Sequence, residues 1–160
     1  MNASAERNRG PEVERELRAL MARYCDAVNR QDGDDWISCW ADDAQWVLMG
    51  TGVSGQRDIL ALWQQLMSGF DFVLMLPSSC LFAVEGTTVT GHWYLQEYTR
   101  DKHGNSTTNI SRYRDTYREV DGQWRYQTRE CHFIVSGAAG LDGPYNPLVK
   151  LPGNPLQITD

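Results

Sequence analysis

The chain has 160 residues and a formal net charge of −6, with an isoelectric point near 5.0. This length can bury one substantial core but is too short for two ordinary domains, so we expect a single domain. The acidic balance argues against a nucleic-acid partner, because phosphate binding requires a basic surface stripe that the sequence lacks. No apolar run is long enough to span a bilayer, and the polar first ten residues lack the apolar segment of a secretion signal, so the sequence predicts a soluble, cytoplasmic protein.

Cysteine and histidine spacing bears on metals and disulfides. The residues concerned are Cys25, Cys39, Cys80, Cys131, His92, His103 and His132. They form no CxxC pair and no i, i+2 or i, i+4 pair, so the spacing indicates neither a zinc site nor a disulfide framework. We therefore expect reduced, buried thiols, no metal and no cofactor.

Apolar residues at helical spacing predict helices in the first half of the chain. Pro11 suits the first turn of a helix and is expected to begin the first one, and Gly69 is expected to end the last. In chain order the predicted elements are a helix over 11–30, a short helix around 36–40, a turn over 41–44, a strand over 45–49, a turn over 50–55 and a helix over 59–66.

The second half of the chain is predicted to be sheet. Its candidate strands are 72–76, 80–84, 88–99, 108–120 and 124–135, separated by short turns. Helices followed by an antiparallel meander indicate a segregated α+β fold, because a doubly wound parallel sheet needs alternating elements. We expect the N-terminal helices to pack in the concave face of a curved, mostly antiparallel sheet over 11–135, with a flexible N-terminus over 1–10 and an irregular Pro/Gly-rich tail over 136–160.

Strand alternation leaves Glu97 on an otherwise apolar face of the strand predicted over 88–99. The other residues of this face are Val89, Gly91, Trp93 and Leu95. A carboxyl in an apolar wall has a raised pKa, which brings it toward the range in which a general acid or base works. Glu97 is therefore a candidate proton-transfer group.

Asp115 is a second carboxyl that strand alternation turns toward the core, in the strand predicted over 108–120. Tyr113 and Tyr117 are its neighbours on the same face. A buried carboxyl needs a partner or has a raised pKa, and the phenol of Tyr24 on the first helix is a suitable donor. Such a pair is either structural or part of an active site. The phase of the strand over 124–135 is ambiguous, because each of its faces mixes apolar and charged residues.

Three segments resemble the SnoaL-like branch of the nuclear transport factor 2-like superfamily. They are residues 22–46, which contain ARY and WADDAQW; GHWYLQE at 91–97; and RYRDTY at 112–117 with DGQWR at 121–125. The resemblance covers about residues 11–135 and implies a cystatin-like cone. This superfamily includes isomerases, dehydratases, cyclases, epoxide hydrolases, dioxygenase subunits and plain binding proteins, so the fold does not fix the function.

The resemblance also assigns roles to single residues. By comparison with ketosteroid isomerase, Tyr24 and Asp115 occupy the positions of the oxyanion-hole tyrosine and the protonated aspartic acid, whereas the general-base position is Leu48. By comparison with scytalone dehydratase, bile-acid dehydratase and hexachlorocyclohexane dehydrochlorinase, the catalytic aspartate position is Asn29 or, with a small gap, Asp32. Their histidine position falls near Leu74, so the Asp–His dyad is absent.

Two further positions match these lyases: Glu97 resembles the acid of bile-acid dehydratase, and Arg129 an arginine of the dehydrochlorinase. The candidate catalytic residues are thus Tyr24, Asp115, Glu97 and Arg129. The candidate substrate-binding residues are Asn29, Trp46, Leu48, Leu74, Trp93, Leu95, Tyr113 and Tyr117.

These residues favour a cofactor-independent lyase, isomerase or cyclase that transfers a proton on a small hydrophobic substrate, aromatic or polycyclic, in an apolar pocket. One alternative is a non-catalytic protein that binds a hydrophobic small molecule. Another is an accessory subunit that resembles the small subunit of ring-hydroxylating dioxygenases. The resemblance and a predicted sheet face with Tyr94, Tyr98 and several arginines also predict a homo-oligomer, either a dimer or a trimer.

Overall fold

The computed structural model describes residues 3–141, with side chains from residue 10 onward. Its elements are α1 (Ala3–Arg30), α2 (Gly33–Ile37), β1 (Trp40–Leu48), β2 (Thr51–Ser54), α3 (Gln56–Met67), β3 (Phe70–Glu85), β4 (Thr88–Asp101), β5 (Ser106–Val120) and β6 (Gln123–Ala138). Among the described residues, no helix combines the length and the apolar composition needed to cross a bilayer.

The six strands form one sheet in the order β2-β1-β6-β5-β4-β3. Every neighbouring pair is antiparallel except β1 and β6, which are parallel. The predicted α+β class, with helices against a mostly antiparallel sheet, is confirmed. We call the sheet face that packs against the helices the inner face and the opposite face the outer face.

Helix α1 forms because one of its faces is apolar and is buried against the sheet. The buried side chains of this face include Leu17, Leu20, Met21, Tyr24 and Val28. Near its C-terminal end, the Asn29 Oδ1 accepts a hydrogen bond from the Met75 backbone N at 2.6 Å, and its Nδ2 donates to the Met75 O at 3.2 Å. Since β3 ends the sheet, Asn29 supplies partners for backbone groups of an edge strand.

The predicted start of the first helix and the predicted end of the last strand are wrong. Helix α1 begins at Ala3 and runs through Pro11, because the residues before Pro11 include good helix formers such as alanine, glutamate and arginine. Strand β6 extends to Ala138, three residues into the predicted tail. Residues 139–141 follow without regular structure, and the tail from residue 142 onward lies outside the described residues.

Other errors concern strands. Residues 41–44, predicted as a turn, belong to β1, and residues 51–54 form β2. Asp42 and Asp43 resemble turn residues, but they are exposed strand positions beside a register shift between Trp40 and Gln45. The two strands predicted over 72–76 and 80–84 are one continuous strand, β3, which tolerates Pro77 because it is an edge strand.

Candidate active site

The register of the sheet aligns inner-face side chains in rows across the strands, because directly opposite residues share a face. One row contains Trp46, Arg129, Asp115 and Gly91, from β1 to β4. The next row contains Leu48, Cys131, Tyr113 and Trp93. The alternation predicted for β4 and β5 is therefore confirmed.

The Arg129 guanidinium lies among three tyrosine rings. Its Cζ is 4.3 Å from the ring centroid of Tyr24, 4.2 Å from that of Tyr113 and 4.4 Å from that of Tyr126. The faces of aromatic rings attract a cation, most strongly away from water. Burial favours the neutral form, but Asp115 and the tyrosines outweigh it and raise the pKa of Arg129 well above its ordinary value, so the side chain is charged.

Asp115 pairs with this guanidinium, its Oδ2 lying 3.6 Å from the Arg129 Nη1. The same oxygen accepts a hydrogen bond from the Tyr117 hydroxyl at 3.1 Å, and the Trp93 Nε1 donates to that hydroxyl at 3.1 Å. Burial raises the pKa of Asp115 to about 6, while Arg129 and Tyr117 act in the opposite direction. The prediction that Tyr24 donates to Asp115 is wrong. The Tyr24 ring contacts Arg129, and the Tyr117 hydroxyl donates to the carboxyl instead.

The Asp115–Arg129 pair is closed to solvent. Asp115 and Tyr24 are 3% and 2% exposed, and Arg129 is 0% exposed. Among the described residues, the Asp115 Oδ1 and the Arg129 Nε and Nη1 have no hydrogen-bond partner. In this conformation the pair can act on a substrate through its charge but not through contact.

Glu97 lies apart from the Asp115–Arg129 pair. It follows Gly91, the row partner of Asp115, by six residues on β4, a distance of roughly 20 Å along a strand. Glu97 is half-buried as a residue, and its Oε1 accepts a hydrogen bond from the Asn109 Nδ2 at 3.2 Å. Burial raises the pKa of Glu97, an effect that Asn109 partly offsets. The structure therefore does not bring the four candidate catalytic residues into one cluster.

Most of the predicted substrate-binding residues lie on the inner face. Trp46, Trp93, Leu95, Tyr113 and Tyr117 are buried there, and Leu48 is half-buried against the same core. Whether they contact a substrate stays a prediction.

The other two predicted substrate-binding residues, Leu74 and Asn29, do not line the inner face in the predicted way. Leu74 pairs with Tyr98, and its strand neighbours Val73 and Met75 are the buried ones, so Leu74 is on the outer face and the prediction that it lines a pocket is wrong. Val73 and Met75, which do turn inward, cannot transfer a proton. Asn29 uses both polar atoms of its side chain on the Met75 backbone.

Asp32, the alternative to Asn29 at the lyase aspartate position, has a structural role. Its Oδ1 accepts from the Asp35 backbone N at 3.0 Å and caps α2, and its Oδ2 accepts from the Arg30 Nη1 at 2.7 Å. The backbone hydrogen bond from Asp35, followed by Arg30, lowers the pKa of Asp32 below its ordinary value. It is thus held as a carboxylate at the start of a helix.

The sequence did not identify Asn109 or Tyr126 as site residues. Asn109 could have been found by extending the inward alternation of β5 back from Asp115. Tyr126 could not, because β6 carries one extra residue, Gln127: Thr116 pairs with Thr128, but Tyr117 pairs with Tyr126. This bulge changes the phase of β6 and turns both Tyr126 and Arg129 inward. In the described part of the chain, no group of three or more His, Cys, Asp or Glu residues could hold a metal ion.

Residues 11–130 match the family model of the SnoaL-like domain. The chain belongs to the SnoaL-like family. No curated protein sequence shows significant similarity to it.

Solved structures share this fold. A protein of unknown function from Mycobacterium tuberculosis is 26% identical, with a TM-score of 0.68, and 76% of each chain is covered. A scytalone dehydratase-like protein from Novosphingobium aromaticivorans DSM 12444 is 16% identical, with a TM-score of 0.73 and coverage of 86% of this chain and 94% of that one. A hexachlorocyclohexane dehydrochlorinase from Novosphingobium barchaimii LL02 is 15% identical, with a TM-score of 0.76 and coverage of 91% and 100%.

Proposed function

We propose that this SnoaL-like protein is a cofactor-independent lyase, isomerase or cyclase, in which Glu97 transfers a proton on a small hydrophobic substrate, aromatic or polycyclic. The observation that carries the proposal is the environment of Glu97, a half-buried carboxyl on the inner face whose pKa burial raises. A pKa nearer neutrality makes a carboxyl a more effective acid or base. Asp115, the other carboxyl that the described strands turn inward, is closed to solvent.

The Asp115–Arg129 pair supports this chemistry from a distance. A fixed positive charge in a low-dielectric environment stabilises negative charge that develops on a substrate, and this effect weakens as their separation grows. Because the pKa of Asp115 is about 6, the pair changes from net positive to neutral as the pH rises through that value. We assign Arg129 and Asp115 an electrostatic role, and Tyr24 the role of holding Arg129 in place.

The names of two structural relatives agree with this reaction type. Dehydratases and dehydrochlorinases catalyse eliminations, in which a base removes a proton from the substrate. At 15–16% identity these relatives show the fold alone, so the elimination chemistry is part of the proposal for this chain.

The base-promoted ring opening of 5-nitrobenzisoxazole tests the proposal, since this chromogenic aromatic probe requires only the removal of a proton. We expect Glu97→Gln to lower kcat/KM for the probe by about 100-fold or more. Activity of the wild type should be lost as the pH falls through the raised pKa of Glu97, because only the carboxylate accepts a proton. Glu85→Gln, at the exposed end of β3, is the matched control and should keep wild-type activity. Equal rates for the wild type and Glu97→Gln would contradict the proposal.

One observation favours a second candidate, a non-catalytic protein that binds a hydrophobic molecule. Three of the four candidate catalytic residues, Tyr24, Asp115 and Arg129, are closed to solvent. Native mass spectrometry of protein purified without additives would support this candidate if a bound molecule is chemically unchanged and the probe is not turned over. An accessory-subunit role, a dimer or trimer and a cytoplasmic location stay predictions.

A further inference from the structure

Three polar side chains connect the candidate base to an exposed residue near the C-terminal end of β6. Glu97, Asn109 and Ser136 lie directly opposite one another on β4, β5 and β6. The Ser136 hydroxyl donates to the Asn109 Oδ1 at 2.6 Å, and the Asn109 Nδ2 donates to the Glu97 Oε1 at 3.2 Å. A continuous path of two hydrogen bonds therefore runs from an exposed serine to the half-buried carboxyl.

The Asn109 amide turns its oxygen toward Ser136 and its nitrogen toward Glu97. A carboxamide has an acceptor oxygen and a donor nitrogen, and either end could face a neighbour. Here the Ser136 hydroxyl donates to the oxygen, and the nitrogen faces the carboxyl and stabilises its ionised form. With the amide reversed, its oxygen would repel a carboxylate.

The other titratable groups near Glu97 carry no charge at neutral pH. They are Cys25 on α1, Tyr113 on β5 and Cys131 on β6, which interact electrostatically with the carboxyl. Burial raises the pKa of each, to about 12 for Cys25. On the β3 side Glu97 lies opposite Met75, which is apolar. Asn109 is thus the polar partner that the described residues give this carboxyl.

We propose that Asn109 is a positioning residue, whose amide orients the Glu97 carboxyl and favours its proton-accepting form, while the Ser136 hydroxyl is the hydrogen-bond partner of the amide end that faces away from Glu97. The proposal rests on the proposed role of Glu97 in proton transfer. When Glu97 takes up a proton, reversal of the amide lets its oxygen accept from the carboxylic acid and its nitrogen donate to the Ser136 hydroxyl. A hydroxyl can donate or accept, so the same three side chains satisfy both protonation states.

The first test is a titration of Glu97 by carbon NMR, in protein labelled at the glutamate carboxyl carbon. The signal that disappears in Glu97→Gln identifies the residue. Asn109→Leu removes the donor and should raise the pKa of Glu97 by about 0.5 to 1 unit. Asn109→Asp places a second carboxyl beside the first and should raise it further. Ser136→Ala should give a smaller rise, and Ser136→Thr, which keeps the hydroxyl, should restore the wild-type value.

Thr108→Val, on the outer face beside Asn109, is the control and should leave the pKa of Glu97 unchanged. The pH profile for 5-nitrobenzisoxazole should shift in each variant by the same amount as the NMR titration. A wild-type Glu97 pKa in folded Asn109→Leu and Asn109→Asp would overturn the inference. Shifted titrations without turnover of the probe in any protein would support the positioning of the carboxyl and overturn the proposed function, so the two failures are distinguishable.

Discussion

A guanidinium loses its hydration when it is buried, and Arg129 recovers only part of the lost energy from hydrogen bonds. Its Nη2 donates to the Met21 Sδ at 3.9 Å, a weak acceptor, and its Nε and Nη1 have no partner among the described residues. The three tyrosine faces and Asp115 must therefore compensate for the charge. Each ring contact contributes about 0.5–2 kcal/mol, so the arrangement depends on several groups acting together.

Removing one member of the pair should therefore be more damaging than removing both. We expect Arg129→Met to lower the free energy of unfolding at neutral pH by about 3–5 kcal/mol, because it leaves the Asp115 carboxyl buried without its cation. The double variant Arg129→Met/Asp115→Leu should recover most of this loss, since it leaves no buried charge. Chemical denaturation of the two single variants and the double variant measures the coupling. A double variant whose loss equals the sum of the single losses would show that the two residues do not act as a pair.

At the scale of elements, strand alternation predicted which face a side chain occupies but not its position along the sheet. It placed Glu97 and Asp115 on the inner face correctly. Their separation depends on the register between β4 and β5, which the connecting turn sets and which alternation along a single strand does not show. The β6 bulge at Gln127 is a property of pairing as well, and this explains why the phase of Arg129 was ambiguous in the sequence. The error at Leu74 arose differently, because its position was taken from a resemblance to lyases, and residues 72–76 are all apolar and show no alternation that marks a face.

The pairing of β4 with β5 also explains why residue 91 is a glycine. A Cβ there would lie 2.8 Å from the Tyr117 Oη and 2.9 Å from the Phe82 Cδ1. Gly91→Ala should therefore lower the free energy of unfolding by about 1–3 kcal/mol through overpacking. It should also displace the Tyr117 hydroxyl from the Asp115 carboxyl. Because this hydrogen bond stabilises the ionised carboxyl, its loss should raise the pKa of Asp115 further.

Gly137→Ala on β6 is the matched control, because a Cβ at that position meets no atom within 4 Å. Denaturation and a titration of the labelled aspartate carboxyl measure the two effects. Equal stability of Gly91→Ala and Gly137→Ala would contradict the argument that residue 91 lacks room for a methyl group.

At the scale of the whole molecule, helices and sheet close together over the Asp115–Arg129 pair. The ring centroid of Trp36 lies 5.2 Å from that of Trp40 and 5.4 Å from that of Trp46, and the centroids of Trp40 and Trp46 are 6.0 Å apart. The Tyr24 ring packs on Trp36 with a centroid distance of 5.6 Å. The four rings come from α1, α2 and β1, and Tyr24 contacts Arg129, so the environment that buries Asp115 depends on these elements packing together. The protonation of one carboxyl is therefore coupled to the unfolding of the whole domain.

This coupling predicts how stability depends on pH. The pKa of Asp115 is about 6 in the folded protein, compared with about 3.9 for an unfolded aspartate. The folded state therefore prefers the protonated form: its contribution to stability is complete below about pH 4 and is lost as the pH rises through about 6. Two pKa units correspond to about 3 kcal/mol.

Asp115→Asn keeps a neutral side chain at every pH, so the free energy of unfolding of the wild type, relative to this variant, should fall by about 2 kcal/mol between pH 4 and pH 7. Urea denaturation of both proteins across this range measures the difference. If the difference rises with pH instead, the attraction of Arg129 outweighs burial, and Asp115 has a pKa below its ordinary value. In that case the carboxyl would be ionised throughout the working range, and the pair would lack the net positive charge on which its proposed electrostatic role depends.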